Sequence, residues 1–269
     1  MFERIGRSIE IFRTSWGILM EDKKLLVFPL LSGIISLIVL ATFIIPLVIG
    51  QVMGGLFSYA ILVIFYLASY FVVIFFNTAL ISCVNARLQG REMSVGEGLS
   101  NALRHVVPIL GWALLSATVG VVLQLIRERG GIFGQIASAI AGGAWGLVTF
   151  FVVPVLVLED KGVLDAMKES AFLIRKTWGE SIIGTGSIML VFMITGIIGF
   201  FGVLATLIFG NVVLFGIALV LFIALLIVLA VVAAAMQGIF VTALYSYAKN
   251  GTVPSAFNRD LIQNAFVQK

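Results

Sequence analysis

The chain has 269 residues, 61% apolar and only 11% charged, with a mean hydropathy of +1.17. Soluble domains are about half apolar and about a quarter charged, so a soluble fold is excluded and lipid must solvate much of the surface. Cys83 is the only cysteine and His105 the only histidine, which excludes an intrachain disulfide and leaves no His/Cys metal set; the net charge of +4 is modest.

Residues 2–20 predict an amphipathic helix. Phe2, Ile5, Ile9, Phe12, Trp16 and Leu19 recur every three or four positions, while Glu3, Arg4, Arg7, Glu10 and Arg13 fall mostly elsewhere. Such a helix lies in the membrane interface with Trp16 at headgroup level, or packs against a bundle. Residues 21–24 form a charged turn, and no Asp, Glu, Lys or Arg follows before Arg87. As one helix, 25–86 would be about 93 Å long, against a hydrocarbon core of about 30 Å. Two spans are expected, 25–49 and 57–84, with a break at Gly50–Gly55. Pro29 falls in the first turn of span one, where proline costs little; Pro46 would kink or end it. The first span is too long for a signal peptide's apolar region and is expected to be retained.

Ser94-x-x-Glu97 is a capping-box pattern that starts a short helix near Val95. Span three follows from about 106 to 126. Arg127–Gly131 is a polar turn, and span four runs from about 133 to 158. Residues 159–162 read as a solvated turn. A third amphipathic helix covers 162–179, span five 182–209 and span six about 212–247. The tail 252–269 has the pattern of a short docking helix around Phe257 and Phe266. The runs are uniformly apolar rather than alternating, so a β-barrel is not expected.

The stretch Gly162–Gly179 nearly repeats Phe2–Gly17 at a shift of 162 positions: Ser8 meets Ser170, Arg13 meets Arg175, and Trp16 meets Trp178. A degenerate middle copy aligns Arg104 with Arg13. The expected architecture is one all-α membrane domain over 1–269, a polytopic bundle of six spans. It is built as three repeats of amphipathic helix plus hairpin, at about 1–90, 91–160 and 161–251. Of the 17 lysines and arginines, all but Arg127 and Arg129 fall on one side of this topology. The positive-inside rule then puts both termini and the amphipathic helices in the cytoplasm, in a multi-pass cell-membrane protein.

Little in the chain suggests catalysis. No nucleophile–base set, paired carboxylates or phosphate-binding glycine loop stands out, so no catalytic residue, cofactor or metal is assigned and no enzyme is expected. His105, where span three meets the cytoplasm, reads as an interfacial residue. Gly142-x-x-x-Gly146 and Gly196-x-x-Gly199-x-x-Gly202 suit close helix packing. Asn77 and Gln237 lie towards the cytoplasmic ends of spans two and six and could face each other, as an interhelical hydrogen bond or as part of a substrate site. Arg13, Trp16, Arg104, Arg175 and Trp178 are candidates for contact with lipid headgroups or a partner.

Residues 13–16 (RTSW), Leu19 and 22–32 (DKKLLVFPLLS), with 245–251 (YSYAKNG), Pro254, Phe257 and Ala265-Phe266 near the end, resemble an uncharacterised prokaryotic membrane-protein family, domain of unknown function 6159. The resemblance implies six spans and a bacterial or archaeal protein without a known activity. It carries over no site residue. The functional expectation is a non-enzymatic membrane protein that binds membrane lipids, or a cytoplasmic protein partner, through its basic helices. The alternative is a transporter or channel for an apolar or amphiphilic small molecule. A homo-oligomer is compatible with the glycine-rich faces, and no nucleic-acid partner is expected.

Overall fold

The computed structural model describes residues 2–209 and 211–251, whose regular structure is helical throughout. In chain order the helices are α1 (Phe2–Glu21), α2 (Val27–Met53), α3 (Gly55–Leu88), α4 (Val95–Arg104), α5 (Val106–Arg129), α6 (Gly131–Val148), α7 (Val152–Leu158), α8 (Val163–Thr206) and α9 (Val212–Asn250). A 3-10 turn, Lys23–Leu26, leads into α2. Six helical segments are long and apolar enough to cross a membrane. They pair as hairpins α2/α3, α5/α6 and α8/α9, and α3 is central, touching α2, α4, α5, α7 and α9. The tail expected to dock lies outside the described residues.

Local chemistry sets the ends. Ser94 and Glu97 form the expected capping box: the Ser94 hydroxyl accepts from the Glu97 N–H, and the Glu97 carboxylate accepts from the Ser94 N–H at 2.7 Å. Asn211 caps α9 by accepting from the Val213 and Leu214 N–H groups. The α2/α3 turn uses Gly54 and Gly55 at φ +65° and +62°, a conformation that side chains resist.

Three expectations need correction. Pro46 neither kinks nor ends the first span within this description; it lies inside α2, which continues to Met53. The third amphipathic helix and span five are not separate: α8 is one helix of 44 residues. Span four, by contrast, is broken, with a turn at 149–151 between α6 and α7. Pro154 explains the break. It has no N–H, and its ring clashes with the carbonyl four residues back, on Phe150.

The broken helix is repaired from outside. Ser170, fully buried on α8, donates to the Val148 carbonyl at 2.6 Å and accepts from the Phe151 N–H at 3.0 Å. One hydroxyl thus satisfies two backbone groups that the turn leaves open.

Packing is concentrated at one end. The buried residues of α3 begin at Val72 and those of α9 at Ala235, while α2 buries fully only Phe28. The 3-10 turn, α4, α7 and the first turns of α8 complete this layer, where the acidic and basic turns also lie. Gly98 lets α4 sit on α3: a Cβ there would be 2.6 Å from the Cys83 Sγ and 3.1 Å from the Ala79 carbonyl oxygen. Of the glycines expected to aid packing, Gly199 faces Phe222 closely, with a Cβ position 2.9 Å from that ring, whereas Gly146 has open space.

Ser170→Ala should therefore lower stability in detergent by about 1–3 kcal/mol, since it strands a buried N–H and a carbonyl. A melting temperature equal to wild type would show that the break does not depend on this hydroxyl.

Candidate functional site: a cavity where the spans converge

A cavity of about 270 Å³ lies where α2, α3, α7 and α9 meet. Each helix reaches it for a traceable reason. Pro29 and Ser32 come from the first turns of α2. Asn77 comes from α3, one turn before the buried Leu80 and Ile81. The break before Pro154 brings Phe150 and Val153 to the wall. On α9, Gly238 permits close approach, because a Cβ there would be 2.5 Å from Leu80 Cδ2. Asn77 and Gln237, expected to face each other, both line this cavity. No hydrogen bond joins them.

The polar groups of the lining are all uncharged. Ser32, Asn77 and Gln237 make no side-chain hydrogen bond among the described residues. The Phe150 carbonyl, deprived of the Pro154 N–H, takes no backbone donor either. Ser32 escaped sequence reasoning; its signal was a lone hydroxyl one turn after Pro29 in an otherwise apolar run. The remaining lining is apolar. Below it the layer is closed by Phe28, Ile81, Val84 and Phe151, each at most 1% exposed. At the other rim Val73 is 51% exposed, and Ala234 and Gln237 are exposed as well. The cavity is therefore closed towards the charged face and open towards the splayed spans.

Helix rise fixes its depth. Asn77 lies about 33 Å along α3 from Gly55, Ser32 about 32 Å along α2 from Met53, and Gln237 about 38 Å along α9 from Val212, at about 1.5 Å per residue. A hydrocarbon core of about 30 Å, crossed with modest tilt, ends close to that level. The polar groups thus sit at the boundary between hydrocarbon and headgroups on the charged side.

An ionic cluster lies beyond the cavity. Glu159 Oε2 is 2.7 Å from Lys161 Nζ and 2.9 Å from Lys249 Nζ, and its Oε1 accepts from the Tyr245 hydroxyl. Glu169 contacts the same two lysines at 3.3 Å and 2.6 Å. Residue 159 is thus no solvated turn: its side chain is only 14% exposed. Burial pushes the Glu159 carboxyl up, but hydrogen bonds from Lys161, Tyr245 and Lys249 outweigh it and hold it below the ordinary range. The Lys249 hydrogen bond does the same for Glu169, against a smaller push from burial. Two carboxylates balance two ammoniums, and the cluster ties α7 and α8 to α9.

The residues expected at a headgroup surface do not converge. Arg13, Trp16, Arg104 and Arg175 are each exposed, and Trp16 stacks on Phe12 at 6.2 Å. The Trp178 side chain lies outside the described residues. On α1, Ser15, Ile18 and Leu19 are buried, and Phe12 meets Phe192 of α8 at 5.9 Å, so the last turns of α1 pack against the bundle. His105 joins α4 to α5, with Nδ1 2.8 Å from the Asn101 carbonyl and Nε2 3.5 Å from Asp160.

Depressed carboxylates make a signed prediction. Their contribution to stability is present above the ordinary glutamate value of about 4.3 and is lost as pH falls through the lower folded values. The melting temperature should fall on acidification below about pH 4.3. It should fall less in Glu159→Gln/Glu169→Gln, already lowered at neutral pH. Identical acid profiles would show that the cluster does not couple to folding.

No curated protein matches the chain. The sequence profile of a family of unknown function, DUF6159, matches residues 56–255, from the start of α3 to just past α9. That match includes most of the cavity wall and the ionic cluster but not α1 and α2, which carry the more specific part of the resemblance. The chain is a member of the family of unknown function DUF6159.

Proposed function

We propose that this multi-span membrane protein is a non-enzymatic binder of an amphiphilic molecule, which it holds in the cavity between α2, α3, α7 and α9. One observation carries this: Ser32, Asn77 and Gln237 bring unpartnered polar groups to one apolar space that opens towards lipid. A polar group without a partner in such surroundings costs free energy. The cost is removed when a ligand supplies the missing hydrogen bonds. The usual alternative for polar residues in spans, a bond from helix to helix, is not made here. An apolar wall with a few convergent polar groups is the common form of a small-molecule site.

The orientation belongs to the proposal. With nearly all lysines and arginines on one side, the closed end of the cavity faces the cytoplasm and both termini lie there. Exposed Arg13, Arg104 and Arg175, which make no ion pair among the described residues, support a second contact, between that face and anionic headgroups. In this arrangement the helices between hairpins rest on the cytoplasmic leaflet while the cavity takes a molecule from within it. Whether the three hairpins descend from one repeated unit does not alter this reading.

Native mass spectrometry of the protein released from membranes tests it. The wild type should retain a co-purified amphiphile. Ala234→Phe, which narrows an exposed rim without touching the buried layer, should lose most of it. Retention unchanged in that variant, or no bound mass in the wild type, would refute cavity binding.

A further inference from the structure

We infer that the ligand is a lipid with an uncharged, hydroxyl- or carbonyl-bearing head, admitted sideways from the leaflet on the charged side. This rests on the binding role proposed above and specifies its chemistry. Three features select the head. The polar side chains of the lining are a hydroxyl and two amides, which donate and accept but carry no charge. The floor of Phe28, Ile81, Val84 and Phe151 separates the cavity from the lysines and glutamates beyond it. Those charges in turn satisfy one another, since Lys161 and Lys249 are both held by Glu159 and Glu169. A phosphate or ammonium placed here would lose its hydration and find no counter-charge, which is costly. An ester carbonyl or a glycerol hydroxyl would find both donors and acceptors.

Two further features select a lipid over a small soluble molecule. The volume of about 270 Å³ falls just below the usual range for a whole drug-sized ligand, about 300–1,000 Å³, so a longer apolar body must extend outside. The only open side is the rim at Val73, Ala234 and Gln237, which faces the splayed and lipid-exposed parts of α3 and α9. The polar groups also lie at the depth where lipid esters and glycerol sit, about 30 Å from the far ends of the spans. The head then points inwards against the amides while the chains stay in the hydrocarbon.

The experiment uses the full chain in nanodiscs with a diacylglycerol carrying a photoreactive diazirine on one acyl chain. Labelled peptides are mapped, and unlabelled dioleoylglycerol is compared with dioleoyl phosphatidic acid as competitor. Labelling should fall on rim-bearing segments of α3 and α9, and the uncharged lipid should compete at least ten times better. Asn77→Leu/Gln237→Leu, which keeps the apolar volume, should cut labelling about tenfold while melting no lower than wild type. Equal competition by phosphatidic acid, with labelling still in the cavity, would overturn the head assignment and leave the binding role standing. Labelling scattered over all spans and insensitive to Ala234→Phe would overturn both. A sharp loss of stability in the double leucine variant would also overturn the assignment, by giving the amides a structural role.

Discussion

The arrangement depends on helices that are longer than the bilayer is thick. α3, α8 and α9 have 34, 44 and 39 residues, where about 20 suffice to cross. Within hydrocarbon, lipid tails solvate leucine and isoleucine as well as another helix does, so burial there brings little gain. Past the hydrocarbon boundary water is the competing solvent, and the hydrophobic effect drives association. The buried residues accordingly gather at the charged end, at 72–86 of α3 and 235–248 of α9, with Leu19, Leu25 and Phe28 beneath α2. The uncharged ends of the hairpins stay largely lipid-exposed. The cavity lies at the seam between these two regimes, which is why it is closed below and open above.

Two devices keep the seam from collapsing. Pro154 interrupts the fourth span and turns Phe150 and Val153 towards α3, and Ser170 supplies the hydrogen bonds that the interruption removes. The Glu159–Lys161–Glu169–Lys249 cluster joins the end of α7 to α8 and α9, fixing three walls relative to one another. Its exposed members are screened by solvent, so its role is registration of helices more than raw stability. Gly98 and Gly238 act from the other side by letting α4 and α9 press onto α3.

The six spans were legible because long charge gaps admit no other solvent than lipid. The Ser94–Glu97 cap was legible because it is local. The shared location of Asn77 and Gln237 followed from their matching depth on two spans. Contacts made across distance were not legible. Lys249 and Glu159 are 90 positions apart, and Glu159 beside Asp160 and Lys161 looks like any charged turn. The continuity of α8 was hidden by Lys176 and Glu180, which mimic a loop between two helices yet fall inside one. The break at Pro154 was hidden for the opposite reason: the segment is so apolar that it reads as a single span.

A structure of the full chain in a lipid nanodisc, inspected for density between α2, α3, α7 and α9, tests the central claim most directly. The account predicts an elongated density whose one end contacts Asn77 and Gln237 and whose other end passes Val73 and Ala234 into the bilayer. A cavity filled by repacked side chains, with Asn77 and Gln237 bonded to each other and lipid confined to the outer faces, would contradict it.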